Sequence, residues 1–257
     1  MRIYESKTDL INSLEDLPRP IGLVPTMGAL HQGHLSLIHQ ARKECATIIV
    51  SIFVNPTQFN DTEDYESYPR TLSNDLDKLR KENVAGVYIP NSLEMYPRGF
   101  SISMNTCGPA LGLESDMRPG HFDGVALVVT KLLNQVSPDY IYLGQKDAQQ
   151  IAVIKQLVRD LDFQVAISVC PTVREDDGLA ISSRNIRLDF RQRKAASIIF
   201  RALAATRDRY RAGNHNSSEL EEGCRRILAS EDLITSVEYV EIVDPCTFKK
   251  WKEEGPC

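Results

Sequence analysis

Between residue 21 and about residue 171, short runs rich in Val, Ile, Tyr and Phe alternate with stretches whose apolar residues recur at helical spacing. Of all the features in the sequence, this alternation restricts the chain most. Parallel strands need a crossover of a dozen or more residues to join them, and a helix that covers a sheet carries one apolar stripe. The β-rich runs fall at 21–26, 46–54, 84–90, 139–144 and 164–171, each with a Gly, Pro or polar stop at one end. Between them, Leu72, Leu76 and Leu79 recur at i, i+4 and i+7, and Val125, Val128, Val129, Leu132, Leu133 and Val136 form a similar stripe. The expected fold class is α/β, a mostly parallel sheet with helices packed on its faces.

Beyond residue 171 the pattern changes to a loop over 173–185, a long helix over 189–212, another over 217–229 and one strand over 236–243. We expect a first domain over 1–174 and a smaller α+β domain over 175–257, divided where Arg174-Glu175-Asp176-Asp177-Gly178 is charged and ends in a chain-reversing glycine. The 30 Lys+Arg against 35 Asp+Glu give a net charge of −5 and a pI of about 5.6. That balance, with no long basic run, argues against a nucleic-acid or membrane-surface partner, since both depend on clustered cations. The first residues turn polar quickly and no stretch approaches the ~18 apolar residues of a bilayer span, so the expected location is cytoplasmic. Six cysteines, Cys45, Cys107, Cys170, Cys224, Cys246 and Cys257, show neither a zinc-ribbon nor a disulfide spacing and read as reduced, mostly buried thiols.

Four segments carry chemistry. The first strand runs into Pro25-Thr26-Met27-Gly28-Ala29-Leu30-His31-Gln32-Gly33-His34, where two glycines flank two histidines at a strand-to-helix turn. Ligands of open α/β sheets bind at such strand ends, and a helix N-terminus offers free N–H groups to phosphate. Imidazole N–H groups three residues apart can meet charge developing on a transferring phosphate. An HxxH pair also suits zinc, but the HExxH pattern is absent. The second segment, Gly144-Gln145-Lys146-Asp147-Ala148-Gln149-Gln150, again joins strand to helix. Lys146 can reach phosphate as a point charge, Asp147 is either a ligand or the helix N-cap, and Gln149 reads as solvated. The third, Ile181-Ser182-Ser183-Arg184-Asn185, supplies two hydroxyls and a guanidinium able to grip an anion. In the fourth, Phe53-Val54-Asn55-Pro56-Thr57-Gln58-Phe59, two amides stand beside apolar residues, a combination suited to a small hydroxylated acid.

Taken with Tyr68-Pro69-Arg70 and Arg118-Pro119-x-His121-Phe122-x-Gly124-Val125, these motifs occur in order across most of residues 21–185, and the chain resembles the pantothenate synthetase family. The His-x-Gly-His element alone marks only the wider nucleotidylyltransferase superfamily; the Asn-Pro-x-Gln and Arg-to-His-Phe segments are more specific. The resemblance implies a Rossmann-like ATP- and pantoate-binding domain, a C-terminal lid and a homodimer. It also implies ATP-dependent condensation of (R)-pantoate with β-alanine through a pantoyl adenylate, with Mg2+ accompanying ATP. By the same resemblance, nucleotide contacts fall on Met27, Gly28, Ala29, Leu30, His31, Gln32, Gly33, His34, Gly144, Gln145, Lys146, Asp147, Val173, Ile181, Ser182, Ser183 and Arg184. His34, His31, Lys146 and Arg184 would act in catalysis, His34 as proton donor, and Gln58 and Gln150 would hold pantoate; no metal ligand is identified.

Ile181 and Gln145 stand where the family often has methionine and glutamate, size-preserving changes of little expected effect. Family members usually continue some two dozen residues past Val243-Asp244-Pro245, so the lid is expected to lack a final strand. Two other readings stay open at this stage: a different adenylyltransferase, or a nucleotide-binding protein without turnover.

Overall fold

The computed structural model describes residues 1–251. Two compact units divide the chain, the first Met1–Thr172 and the second beginning at Val173. In the first, six strands form one sheet: β1 Arg2–Tyr4, β2 Ile21–Thr26, β3 Thr47–Ile52, β4 Gly86–Tyr88, β5 Tyr140–Gly144 and β6 Ala166–Cys170. Their order is β1-β4-β3-β2-β5-β6 and every pairing is parallel. The five expected strands are all present. β1 is an addition that the sequence hid, because three residues are too few to show a period.

Both faces of the sheet are buried, as parallel sheets require. On one face Leu23, Ile49 and Ile141 pack with Leu10, Val125, Leu132 and Ile154 from the helices Lys7–Leu14, His121–Val136 and Ala148–Asp160. On the other, Val24, Val50 and Val87 pack with Leu35, Ile38 and Leu79 from Gln32–Glu44 and Leu72–Lys81. Adjacent residues Leu23 and Val24 thus enter opposite cores, the period-2 consequence of a pleated strand. Each such side chain contributes roughly 1.5–3 kcal/mol by leaving water.

The strand order reverses between β2 and β5, and there the sheet opens. β2 pairs with β3 over six residues, from Ile21↔Thr47 to Thr26↔Ile52, whereas β2 and β5 pair only at Gly22↔Tyr140 and Leu23↔Ile141. Both strands continue for three residues beyond the last β2–β5 pair, to Thr26 and Gly144. A crevice at the carboxyl ends of strands on either side of such a switch point is where open α/β sheets place their ligands.

The second unit contains the helices Phe190–Ala195, Ile198–Arg211 and Ser217–Leu228. The single helix expected over 189–212 is broken at Ala196-Ser197. There the Ser197 hydroxyl donates to the Lys194 carbonyl at 2.9 Å, a local bond that competes with the helical ladder. The strand expected over 236–243 is also corrected: among the described residues this segment makes one isolated antiparallel bridge, Val243↔Lys250. Instead of a neighbouring strand it meets a side chain, the Ile242 N–H donating to buried Glu221 Oε1 at 2.9 Å.

Of the five described cysteines, Cys170 and Cys224 are buried, Cys45 is intermediate, and Cys107 and Cys246 are exposed, all free. Burial therefore holds for fewer thiols than expected, and Cys257 lies outside the described residues. Among the described residues no helix is long and apolar enough to cross a membrane.

Candidate active site

β2 ends in a turn where Gly28 and Ala29 take φ of 80° and 49°. The two amides that follow do not stay free for a ligand. Asp75, 1% exposed, accepts from Ala29 N–H at 2.9 Å and from Leu30 N–H at 2.8 Å. A carboxylate one helix away therefore shapes the turn, and nothing in the local sequence around Ala29 announces it.

His31 is the N-cap of the helix Gln32–Glu44. Its Nδ1 accepts from Gly33 N–H at 3.2 Å, and His34 Nδ1 accepts from His31 N–H at 3.3 Å. The pair is a reciprocal cap, built from imidazoles where hydroxyls and carboxylates usually serve. A ring nitrogen that accepts cannot carry the proton, so both neutral rings hold theirs on Nε2. The intervening glycine is a steric necessity: a Cβ at Gly33 would lie 2.9 Å from His31 Cε1. The ring centroids stand 4.0 Å apart.

Burial above all, then the neighbouring His31, Lys146 and Lys78, lowers the His34 pKa to about 3; burial, Lys146 and Lys78 also lower that of His31. Lys146, carried by the turn after β5, is thus brought electrostatically onto the histidine pair carried by the turn after β2. Asp147 acts on His31 as well and pairs with Lys146 Nζ at 3.1 Å. Of the two readings of Asp147, the N-cap fails: it stands at that position of the helix Ala148–Asp160 without capping it.

Gln58 lies in a single 3-10 turn, Pro56–Gln58, and is buried. Its Oε1 accepts from Asn55 Nδ2 at 3.0 Å, and among the described residues its Nε2 has only Met27 Sδ, at 3.3 Å. Asn55, 1% exposed, is itself held by Tyr96, whose hydroxyl donates to Asn55 Oδ1 at 2.7 Å. Tyr96 had no distinguishing signal in the sequence. Gln150 is half-buried on the first turn of Ala148–Asp160. Gln149 is not solvated as expected: it is 7% exposed and its Nε2 donates to the carbonyls of Pro109 and Gly112, each at 3.1 Å. Helical spacing turns it inward to clamp a loop.

In the second unit, the Ile181 N–H donates to Val173 O at 3.1 Å, bringing these two together. Ser182 accepts from Arg184 N–H at 3.3 Å and caps the 3-10 turn Ser183–Arg187. The predicted residues thus form two groups, one around the switch point and one around the Val173–Arg184 loop.

A parallel sheet whose switch point carries a His-x-Gly-His helix cap and a facing lysine defines the class: a nucleotidylyltransferase-type α/β enzyme. The model of the family described as Pantoate-beta-alanine ligase matches residues 2–256, and the chain belongs to that family. It is 50% identical over 235 residues to a pantothenate synthetase of Chloroflexus aurantiacus, covering 91% of this chain and 83% of the relative. The pantothenate synthetase of Caldicellulosiruptor saccharolyticus is 45% identical over 248 residues, 96% of this chain and 88% of its own. A crystal structure of pantothenate synthetase from Thermus thermophilus superposes with a TM-score of 0.90 at 42% identity, covering 98% of this chain and 90% of that one. A pantoate-beta-alanine ligase from Francisella tularensis, complexed with beta-gamma ATP and beta-alanine, gives 0.78 at 40% identity over 88% and 86%.

Proposed function

We propose that the chain condenses (R)-pantoate with β-alanine, cleaving ATP to AMP and pyrophosphate through a pantoyl adenylate. The observation that supports this most is the convergence of His31, His34 and Lys146 at the switch point, in a unit that also offers the Gln58 amide. The carboxylate oxygen of pantoate attacks the α-phosphorus, and the bond to the β-phosphate breaks with its electron pair leaving on pyrophosphate. Charge gathers on the departing oxygens, and Lys146 together with the Nε2–H donors of His31 and His34 is suited to meet it. With a pKa of about 3, His34 is neutral at pH 7 and acts first as a hydrogen-bond donor. A bound triphosphate raises that value, because adjacent negative charge favours imidazolium. In the second step the uncharged amine of β-alanine attacks the acyl carbon, the C–O bond to AMP breaks with its electron pair staying on the AMP phosphate oxygen, and the proton lost by the nitrogen passes to water.

In this reading Met27 to His34 and Gly144 to Asp147 contact the nucleotide, while Gln58 and Gln150 hold the hydroxyls and carboxylate of pantoate. Val173, Ile181, Ser182, Ser183 and Arg184 contribute nucleotide contacts from the second unit, which acts as a lid. ATP enters as its magnesium complex. His31, His34 and Lys146 offer N–H donors to phosphate oxygens and no hard-oxygen cage, a donor set that fits a metal carried by phosphate and water. The enzyme works in the cytoplasm as a homodimer.

Labelled pyrophosphate should exchange into ATP only when pantoate is present, and AMP and pantothenate should appear on adding β-alanine. Exchange independent of pantoate contradicts the assignment.

A further inference from the structure

The segment Arg118-Pro119-Gly120-His121-Phe122-Asp123-Gly124-Val125 is distinctive in sequence, yet none of its side chains has a part in the reaction above. Gln58 closes a single 3-10 turn, so its carbonyl has no donor within that turn. His121 Nδ1 donates to it at 2.8 Å. A carbonyl can only accept, so the proton of the neutral ring sits on Nδ1, the opposite tautomer from His31 and His34. The ring is 6% exposed, and burial is the main reason its pKa is lowered, which keeps it uncharged.

Asn55 meanwhile occupies Gln58 Oε1, which leaves the amide nitrogen on the side of Met27, and at most one of its two N–H groups is engaged by Met27 Sδ. Backbone and side chain of Gln58 therefore have separate holders, and both rest on the helix His121–Val136. Asn55 Nδ2 also donates to Gly124 O at 3.1 Å, and a Cβ at Gly124 would lie 2.2 Å from Thr57 O. The absence of that Cβ lets the helix approach closely enough for His121 to reach Gln58.

We propose that His121 is a positioning residue for the pantoate half of the reaction: its Nδ1–H holds the Gln58 carbonyl and so aims the Gln58 amide N–H at the acid. This rests on Gln58 holding pantoate, as read above. A histidine that merely supported the fold would affect all substrates alike when replaced, whereas one that aims Gln58 acts on pantoate selectively.

The test measures KM for pantoate and for ATP, with kcat, in His121→Asn, His121→Gln, His121→Ala and Gln58→Ala. Asparagine puts an amide N–H near the Nδ1 position, and glutamine puts one near Nε2. We expect His121→Gln and His121→Ala to raise the pantoate KM about tenfold, the effect of one hydrogen bond, with the ATP KM held within about twofold. His121→Asn should stay within about threefold of the parent enzyme. Equal rises in the Asn and Gln variants, or a matching rise in the ATP KM, overturn the inference. An unchanged pantoate KM in Gln58→Ala removes the role of Gln58 itself. A raised KM there with unchanged values in His121→Gln and His121→Ala removes only that of His121. Should His121→Ala fail to fold, the Asn and Gln pair still decides.

Discussion

In the proposed reaction the histidine pair serves two ends with different atoms: Nδ1 caps the helix, and Nε2 is the atom left to donate to phosphate. Replacing His34 or Lys146 by alanine is expected to lower kcat by about 10²–10³, the scale for one preorganised donor, with the far-ultraviolet circular dichroism unchanged. Parent rates in both variants would remove the two residues from the mechanism. The same pair makes stability depend on pH. His34 carries its proton at 6.5 when unfolded but only near 3 when folded, so between those values the unfolded chain binds more protons. Stability is therefore fully present above about pH 6.5 and is lost as pH falls toward 3, with a limiting slope of about 1.4 kcal/mol per pH unit for one proton. Urea unfolding midpoints taken between about pH 7 and pH 4 should fall in the parent and fall less steeply in His34→Gln. Equal slopes would mean that the ring is not held neutral.

At the level of elements, the helix Leu72–Lys81 acts on the site through Asp75, which holds the turn amides, and through Lys78, whose charge reaches both histidines. Asp75→Ala strands two turn amides at about 1–3 kcal/mol each. It should lower unfolding free energy by roughly 3 kcal/mol and raise the KM for ATP more than that for pantoate, checked by urea denaturation and steady-state kinetics. This is also the kind of contact that sequence does not disclose. The strands β2 to β6 are readable because residues such as Leu23, Val24, Ile49 and Val50 satisfy two cores at once, and the candidate His-x-Gly-His turn because Gly28 takes a φ of 80° and a Cβ at Gly33 would meet the His31 ring. Asp75, Tyr96 and Gln149 act on backbone or side chains 45, 41 and 35 to 40 residues away, and no local period records such partners. The segment over 236–243 misled for the converse reason. Its composition suits a strand, but a strand exists only where a ladder partner does, and there Glu221 takes the Ile242 N–H instead.

At the scale of the whole molecule, the chemistry comes from distance in sequence collapsed by topology. Strands β2 and β5 are separated by the β3 and β4 crossovers, yet they are neighbours in the sheet, and their ladder stops at Leu23↔Ile141. His31 and His34 follow one strand and Lys146 the other, and the proposed reading seats a nucleotide in that opening with its phosphates between them. The proposed reaction uses one bond-forming site on ATP, the α-phosphorus, and an isotope can report whether it does. If the pantoate carboxylate attacks the α-phosphorus, pantoate carrying ¹⁸O in its carboxylate should deliver one ¹⁸O into the phosphate of AMP during a full turnover, because cleavage of the acyl C–O bond leaves that oxygen on phosphorus. Mass spectrometry of the AMP reads the outcome directly. Label in inorganic phosphate, with ADP as coproduct, would mean attack at the γ-phosphorus. The histidine and lysine donors would then be stabilising a different leaving group from the one assigned to them.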